Sequence, residues 1–163
     1  MIKLHTSHGV ISIELDFEKA PVTCDNFVSY VESGFYNNTV FHRVIGGFMI
    51  QGGGFEPDMQ QKKTLSPIKN EADNGLKNEA YTIAMARTPD PHSGTSQFFI
   101  NLVDNDFLDY TASTPQGYGY CVFGKVVEGV EVVSQIGKLK TTVRAGHRDV
   151  PVDNAVVEKA EVC

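Results

Sequence analysis

Short apolar, β-branched runs recur along this chain between clusters of glycine, proline and asparagine, and only two segments carry a helical period. A sheet built from such strands must bury one face and protect its edge strands, and closing on itself removes the edges. The expectation is a mainly β protein, a closed antiparallel β-barrel with two helices and no internal repeat.

Ile2, Leu4 and Thr6 alternate with Lys3 and His5, the chain turns at Ser7-His8-Gly9, and Ile11, Ile13 and Leu15 resume the alternation against Ser12 and Glu14. That pattern predicts a hairpin. Pro21 then opens a helix over about 21 to 32, in which Cys24, Phe27, Val28 and Val31 recur at helical spacing and Gly34 follows the end. The runs 39–45 and 48–51 are too short and too β-branched for helices and read as sequential strands. Residues 52–79 are polar, hold Pro57 and Pro67, and read mostly as one long loop, a length that is usually functional or disordered inside a compact domain. Further strands are expected over 81–86, 97–101, 121–127 and 154–162, with a long loop over 103–119 and a short second helix through Val130, Val133 and Ile136.

At 163 residues the chain suits a single domain able to bury about 70% of its unfolded surface. No apolar run approaches the roughly 18 residues of a membrane span. The N-terminus enters a strand pattern directly, without the apolar segment of a signal peptide, so a cytoplasmic setting is expected. A net charge of −6, with Lys62-Lys63 the only adjacent basic pair, argues against nucleic acid, and a monomer is the default. Cys24, Cys121 and Cys163 lack paired spacing and read as free thiols.

Spacing disfavours several chemistries. His5 and His8 have no carboxylate or cysteine to complete a metal set. Gly52-Gly53-Gly54 fits no phosphate-binding pattern and reads as backbone room in a bend. No serine sits in GxSxG, and Cys121 lies in an apolar strand, which disfavours covalent catalysis.

What remains is a guanidinium in an apolar run. On strand periodicity Phe41, Arg43 and Ile45 share one face, and Met49 and Gln51 share a face of the next run. Phe48, Met49 and Phe99 add large apolar side chains. Gln51 and Gln97 add two amides able to hold a cation whose desolvation needs compensation. The same residues also fit a plainer arrangement, with the apolar side chains as core and Arg43 emerging into solvent at a barrel end.

The run Phe41-His42-Arg43-Val44-Ile45-Gly46-Gly47-Phe48-Met49-Ile50-Gln51-Gly52-Gly53 is similar to the signature segment of the cyclophilin family of peptidyl-prolyl cis/trans isomerases. Ala84-Met85-Ala86-Arg87 with Ser96-Gln97-Phe98-Phe99-Ile100 resembles its second active-site segment. The resemblance extends through Asn26-Phe27, Gly34-Phe35-Tyr36 and Val122-Phe123-Gly124-Lys125-Val126 to essentially the whole chain. It implies an eight-stranded antiparallel β-barrel capped by two α-helices, no cofactor, and faster rotation about X-Pro bonds in peptides and folding proteins. Arg43 matches the catalytic arginine and Gln51 the amide that orients it. Phe48, Met49 and Phe99 match the floor and walls of the proline pocket, Phe107 and Leu108 its rim, and Tyr120 the place of a pocket histidine. Gln97, Ala86 and Arg87 match the adjoining groove for peptide backbone, where Arg87 hints at acidic or polar residues before proline.

Phe107 stands where the better-known eukaryotic members have tryptophan, and the chain contains no tryptophan to offer cyclosporin an indole donor. Weak cyclosporin binding is therefore expected. Phe107, Tyr120 and the polar segment near 55–80 resemble the bacterial cytosolic branch. Two other functions compete: a module that holds proline segments with little turnover, and a barrel carrier of a small apolar ligand that would have no need of Arg43.

Overall fold

The first hairpin forms as its alternation predicts, with β1 (Ile2–Thr6) and β2 (Gly9–Leu15) paired so that Leu4 stands opposite Ile11. The structure, a computed structural model, describes residues 1–163. Helix α1 (Pro21–Glu32) follows, then β3 (Thr39–Val40), β4 (Arg43–Ile45) and β5 (Met49–Gly52). Beyond the long polar segment come β6 (Thr82–Met85), β7 (Phe98–Asn101), β8 (Val122–Glu128) and α2 (Val130–Gly137). The chain ends in β9 (Thr141–Arg144), β10 (His147–Pro151) and β11 (Val156–Val162).

One sheet runs in the order β3-β11-β1-β2-β8-β6-β7-β5-β4, and β9 and β10 form a separate ribbon. β3 and β4 lie at opposite ends of the sheet, yet only Phe41 and His42 separate them. Since a residue spans at most about 3.6 Å, the two ends are held within roughly 10 Å, and the sheet curls to meet itself. The expected eight-stranded closed ring is thus a nine-stranded curl. The run 39–45 divides, β3 pairing with β11 and β4 with β5, and the chain itself joins the ends.

The interior is filled from the inward rows of these strands. Leu4, Ile11, Ile13, Ile50, Ile83, Ile100 and Phe123 are fully buried, each contributing about 1.5–3 kcal/mol. α1 adds Phe27, whose ring lies 5.2–5.5 Å from those of Tyr36, Phe98 and Phe123. α2 adds Val133 and Ile136.

No local side chain caps α1, and Pro21 occupies the first turn, where a missing N–H costs nothing. The cap comes from far along the chain. The Glu71 carboxylate accepts from Thr23 N and Thr23 Oγ1, each at 2.7 Å, which puts an anion on the positive end of the helix. Lys62 fastens the other end, donating to the carbonyl of Phe35 just beyond the helix and lying 4.5 Å over the Phe35 ring. The segment expected as a loop is indeed mostly irregular, but it is fastened onto α1. Cys24, Cys121 and Cys163 are free thiols, the first two buried. No helix is long and apolar enough to cross a membrane.

Candidate active site

Strand register assembles the site. Arg43 stands opposite Gln51, Gln51 opposite Phe99, Phe99 opposite Ala84, and Ala84 opposite Val122. Because side chains alternate, the adjacent row of Val44, Ile50, Ile100 and Ile83 enters the core and this row faces outward. On the outer face Met49, Ala84, Ala86, Phe99 and Val122 make a small apolar cluster of their own, against which Phe48, Leu108 and Tyr120 pack.

Above it lies a pocket of about 130 Å³ bounded by Arg43, Phe48, Met49, Gln51, Ala86, Arg87, Phe99, Leu108 and Tyr120. A second cavity of about 170 Å³ shares Gln51, Ala86 and Arg87 and continues to Gln97. Gln61, Thr88, Ser93 and Thr95 complete its polar wall; the sequence offered only a turn cluster there. Phe107 is the residue the pocket leaves out. It is 70% exposed and stacks on Phe48 with ring centres 5.7 Å apart, backing the pocket wall rather than lining it.

Arg43 is not desolvated among apolar neighbours, as strand periodicity suggests. The strand breaks at Phe41 and His42, so the alternation restarts: Phe41 is core, Ile45 is half-buried, and Arg43 is exposed at the pocket mouth. Neither amide holds it. Gln51 Nε2 donates instead to Gln97 Oε1 at 3.0 Å, which ties the two cavities together beside the arginine. Glycine makes this possible, since a Cβ at Gly54 would stand 2.6 Å from Gln97 Cγ.

Arg87, by contrast, is held by the protein itself. It donates to the carbonyls of Gly119, Thr88 and Pro115 and lies 4.6 Å over the Tyr120 ring, so it braces the pocket wall while its charge stays without a carboxylate partner. Buried asparagines do similar work that periodicity does not reveal. Asn105 donates to Phe48 O and Asn101 Oδ1, Asn101 to Asn78 Oδ1, and Asn78 to Leu108 O, a chain that fixes both sides of the pocket.

His42, next to Arg43, has a buried Nδ1 without a partner, and its ring lies 4.4 Å from that of Phe55, which in turn meets His147 at 5.1 Å. Burial first, then the His147 and Arg43 charges, push its pKa from 6.5 down to about 4. Below pH 6.5 the unfolded chain therefore binds more protons here than the folded one, so stability is complete above about 6.5 and is lost as pH falls through about 4. Thermal melts across that window are expected to decline less steeply in His42→Gln than in the parent; equal slopes would show that His42 contributes nothing to the decline.

A family model described as cyclophilin type peptidyl-prolyl cis-trans isomerase/CLD matches residues 1–162. The chain is 60% identical to the peptidyl-prolyl cis-trans isomerase cyp18 of Streptomyces antibioticus, covering 99% of this chain and 97% of that one. It is 57% identical to peptidyl-prolyl cis-trans isomerase B of Escherichia coli K12, covering 99% of each. A solved cyclophilin type peptidyl-prolyl cis-trans isomerase from Cryptosporidium parvum, crystallised in the presence of the dipeptide Ala-Pro, superposes with a TM-score of 0.80 at 28% identity. That alignment covers 99% of this chain and 98% of the other. With the match unbroken from the first strand to the last, and the curled sheet shared, this chain belongs to the cyclophilin family and is a peptidyl-prolyl cis-trans isomerase.

Proposed function

We propose that turnover rests on Arg43 donating a hydrogen bond to the prolyl nitrogen as the X-Pro bond twists. Rotation about that bond is opposed by amide resonance, with a barrier of about 18–20 kcal/mol. In the twisted form the nitrogen becomes pyramidal and its lone pair can accept, which the planar ground state does poorly. The observation that carries this reading is an exposed guanidinium at the mouth of an apolar pocket, with no hydrogen bond or ion pair inside the protein. Its donors are free, and arginine stays protonated at any working pH.

The apolar walls act in the same direction. A twisted amide is less dipolar than a planar one, so Phe48, Met49, Phe99 and Leu108 disfavour it less, which is differential binding of the transition state. Gln51 and Gln97 hold the peptide backbone alongside, with Ala86 and Tyr120 shaping the groove. Substrates are proline-containing segments of peptides and of unfolded or folding proteins, handled by a monomer in the cytoplasm without a cofactor.

Turnover is expected to be flat between about pH 6 and 8, because His42 titrates near 4 and no covalent step needs a base. A steep titration near 6.5 in the chemical step would assign the work to a histidine. Titrating an Ala-Pro peptide into isotope-labelled protein is expected to shift the resonances of Met49, Gln51, Phe99 and Leu108. Shifts confined to other regions would remove the site assignment. Cyclosporin is expected to bind weakly, since Phe107 supplies no indole N–H, and a sub-micromolar dissociation constant would refute that.

A further inference from the structure

A groove of about 530 Å³, larger than the proline pocket, opens between the end of β2 and the segment before β6. Its rim carries the carboxylates of Glu14, Asp16, Glu18 and Glu79 against the ammonium groups of Lys77 and Lys125. Glu14 and Lys125 are cross-strand neighbours, yet none of the six forms an ion pair; the molecule's ion pairs are His5 with Glu161 and Lys159 with Glu161. The lysines offset at most two of the carboxylates, which leaves the groove acidic.

Its apolar content is also unspent. Phe17 on the rim is 48% exposed, and Leu15 and Leu76 are half-buried beside it. Val122, in the groove floor, belongs to the apolar cluster beneath the proline pocket, and Leu76 packs on that cluster. The two sites therefore share one outward face of the sheet. From β5, which carries Gln51, to β8 is three strand steps of about 4.8 Å, or about 14 Å, a span that an extended chain covers in roughly four to five residues.

We infer that this groove is a second docking site for the client chain, taking a segment in which lysine or arginine flanks an apolar or aromatic side chain. Its use on the same client as the proline rests on the Arg43-pocket reading above. Such a segment lies about five or more residues from the target proline, so that both sites fill together and the second contact becomes intramolecular.

The test uses three probes on the whole protein: a proline-free Lys-Phe-Lys-Leu-Lys peptide, its Glu-Phe-Glu-Leu-Glu counterpart, and the basic peptide joined through a six-residue Gly/Ser spacer to Ala-Pro. The basic peptide is expected to shift resonances of Phe17, Leu76 and Lys125 without displacement by Ala-Pro, and more weakly as salt rises. The joined peptide is expected to bind about tenfold or more tightly than Ala-Pro alone. That gain disappears in the Glu14→Lys/Glu79→Lys variant, whose turnover of a short Ala-Pro peptide is unchanged and so reports an intact fold. Absence of shifts, displacement by Ala-Pro, equal binding of the acidic peptide, or self-association that fills the groove would each overturn the inference. Failure of the Arg43 mechanism would appear separately, as Ala-Pro turnover insensitive to Arg43, and would not alter the shifts that the proline-free peptide produces in the groove.

Discussion

Replacing Arg43 with alanine lowers kcat for a short Ala-Pro peptide by about 10- to 100-fold. A hydrogen bond from a charged donor contributes about 1.5–3 kcal/mol, and each 1.36 kcal/mol is a decade in rate. The loss falls on kcat because the planar prolyl nitrogen of the bound substrate barely accepts, so the missing bond belongs to the transition state. Stability changes little, about 0.5 kcal/mol or less, since the side chain is exposed and unpaired. Arg43→Lys recovers part of the rate, because it keeps the charge and loses the planar fork. The remaining acceleration comes from the pocket, where Phe99 and Met49 survive the substitution. Exchange kinetics on both variants check the size of the effect.

Replacing Phe98 with alanine removes a core ring shared by three aromatic neighbours. Its ring meets Phe27 and Tyr36 edge-on at 5.5 Å and Phe41 at 6.1 Å, and the residue is 1% exposed. Truncations of this kind cost about 3–5 kcal/mol, the more so where neighbours cannot collapse into the gap. Here one neighbour is backbone. Gly53 sits at φ +90°, and a Cβ on it would stand 2.9 Å from the Phe98 ring, so the glycine has no side chain with which to fill the space. For a chain of this length the midpoint of thermal unfolding should fall by roughly 6–20 °C. Denaturant titration gives the free energy directly, and a loss under about 1 kcal/mol would contradict this account of the core. Because Phe98 lies between Gln97 and Phe99, the folded fraction of the variant also reports how far the site tolerates a loosened floor.

Much of the site was legible in the sequence because it obeys strand arithmetic. Met49 and Gln51 do share a face, and Arg43, Gln51 and Phe99 fall into one cross-strand row. Helix α1 was legible at both ends from Pro21 and its apolar spacing. Periodicity misled where it was carried across a break. Phe41 and Arg43 look like neighbours on one face only if 39–45 is a single strand, and the crossing at Phe41-His42 undoes that. The β9–β10 ribbon was invisible because Thr141, Thr142 and Val143 are all exposed, so no alternation marks them. Arg87 as a brace, Glu71 as the cap of α1 and the Asn78-Asn101-Asn105 chain depend on contacts between residues far apart in sequence, which no local pattern records.

The central claim is that Arg43 acts in the transition state rather than in binding. The measurement that tests it most directly is cis-trans exchange of an Ala-Pro peptide by NMR, with its dissociation constant determined on the same samples of parent and Arg43→Ala protein. The predicted result is an exchange rate at saturation reduced by about one to two decades with the dissociation constant nearly unchanged. Equal saturated rates in the two proteins, or a loss explained wholly by weaker binding, would contradict it.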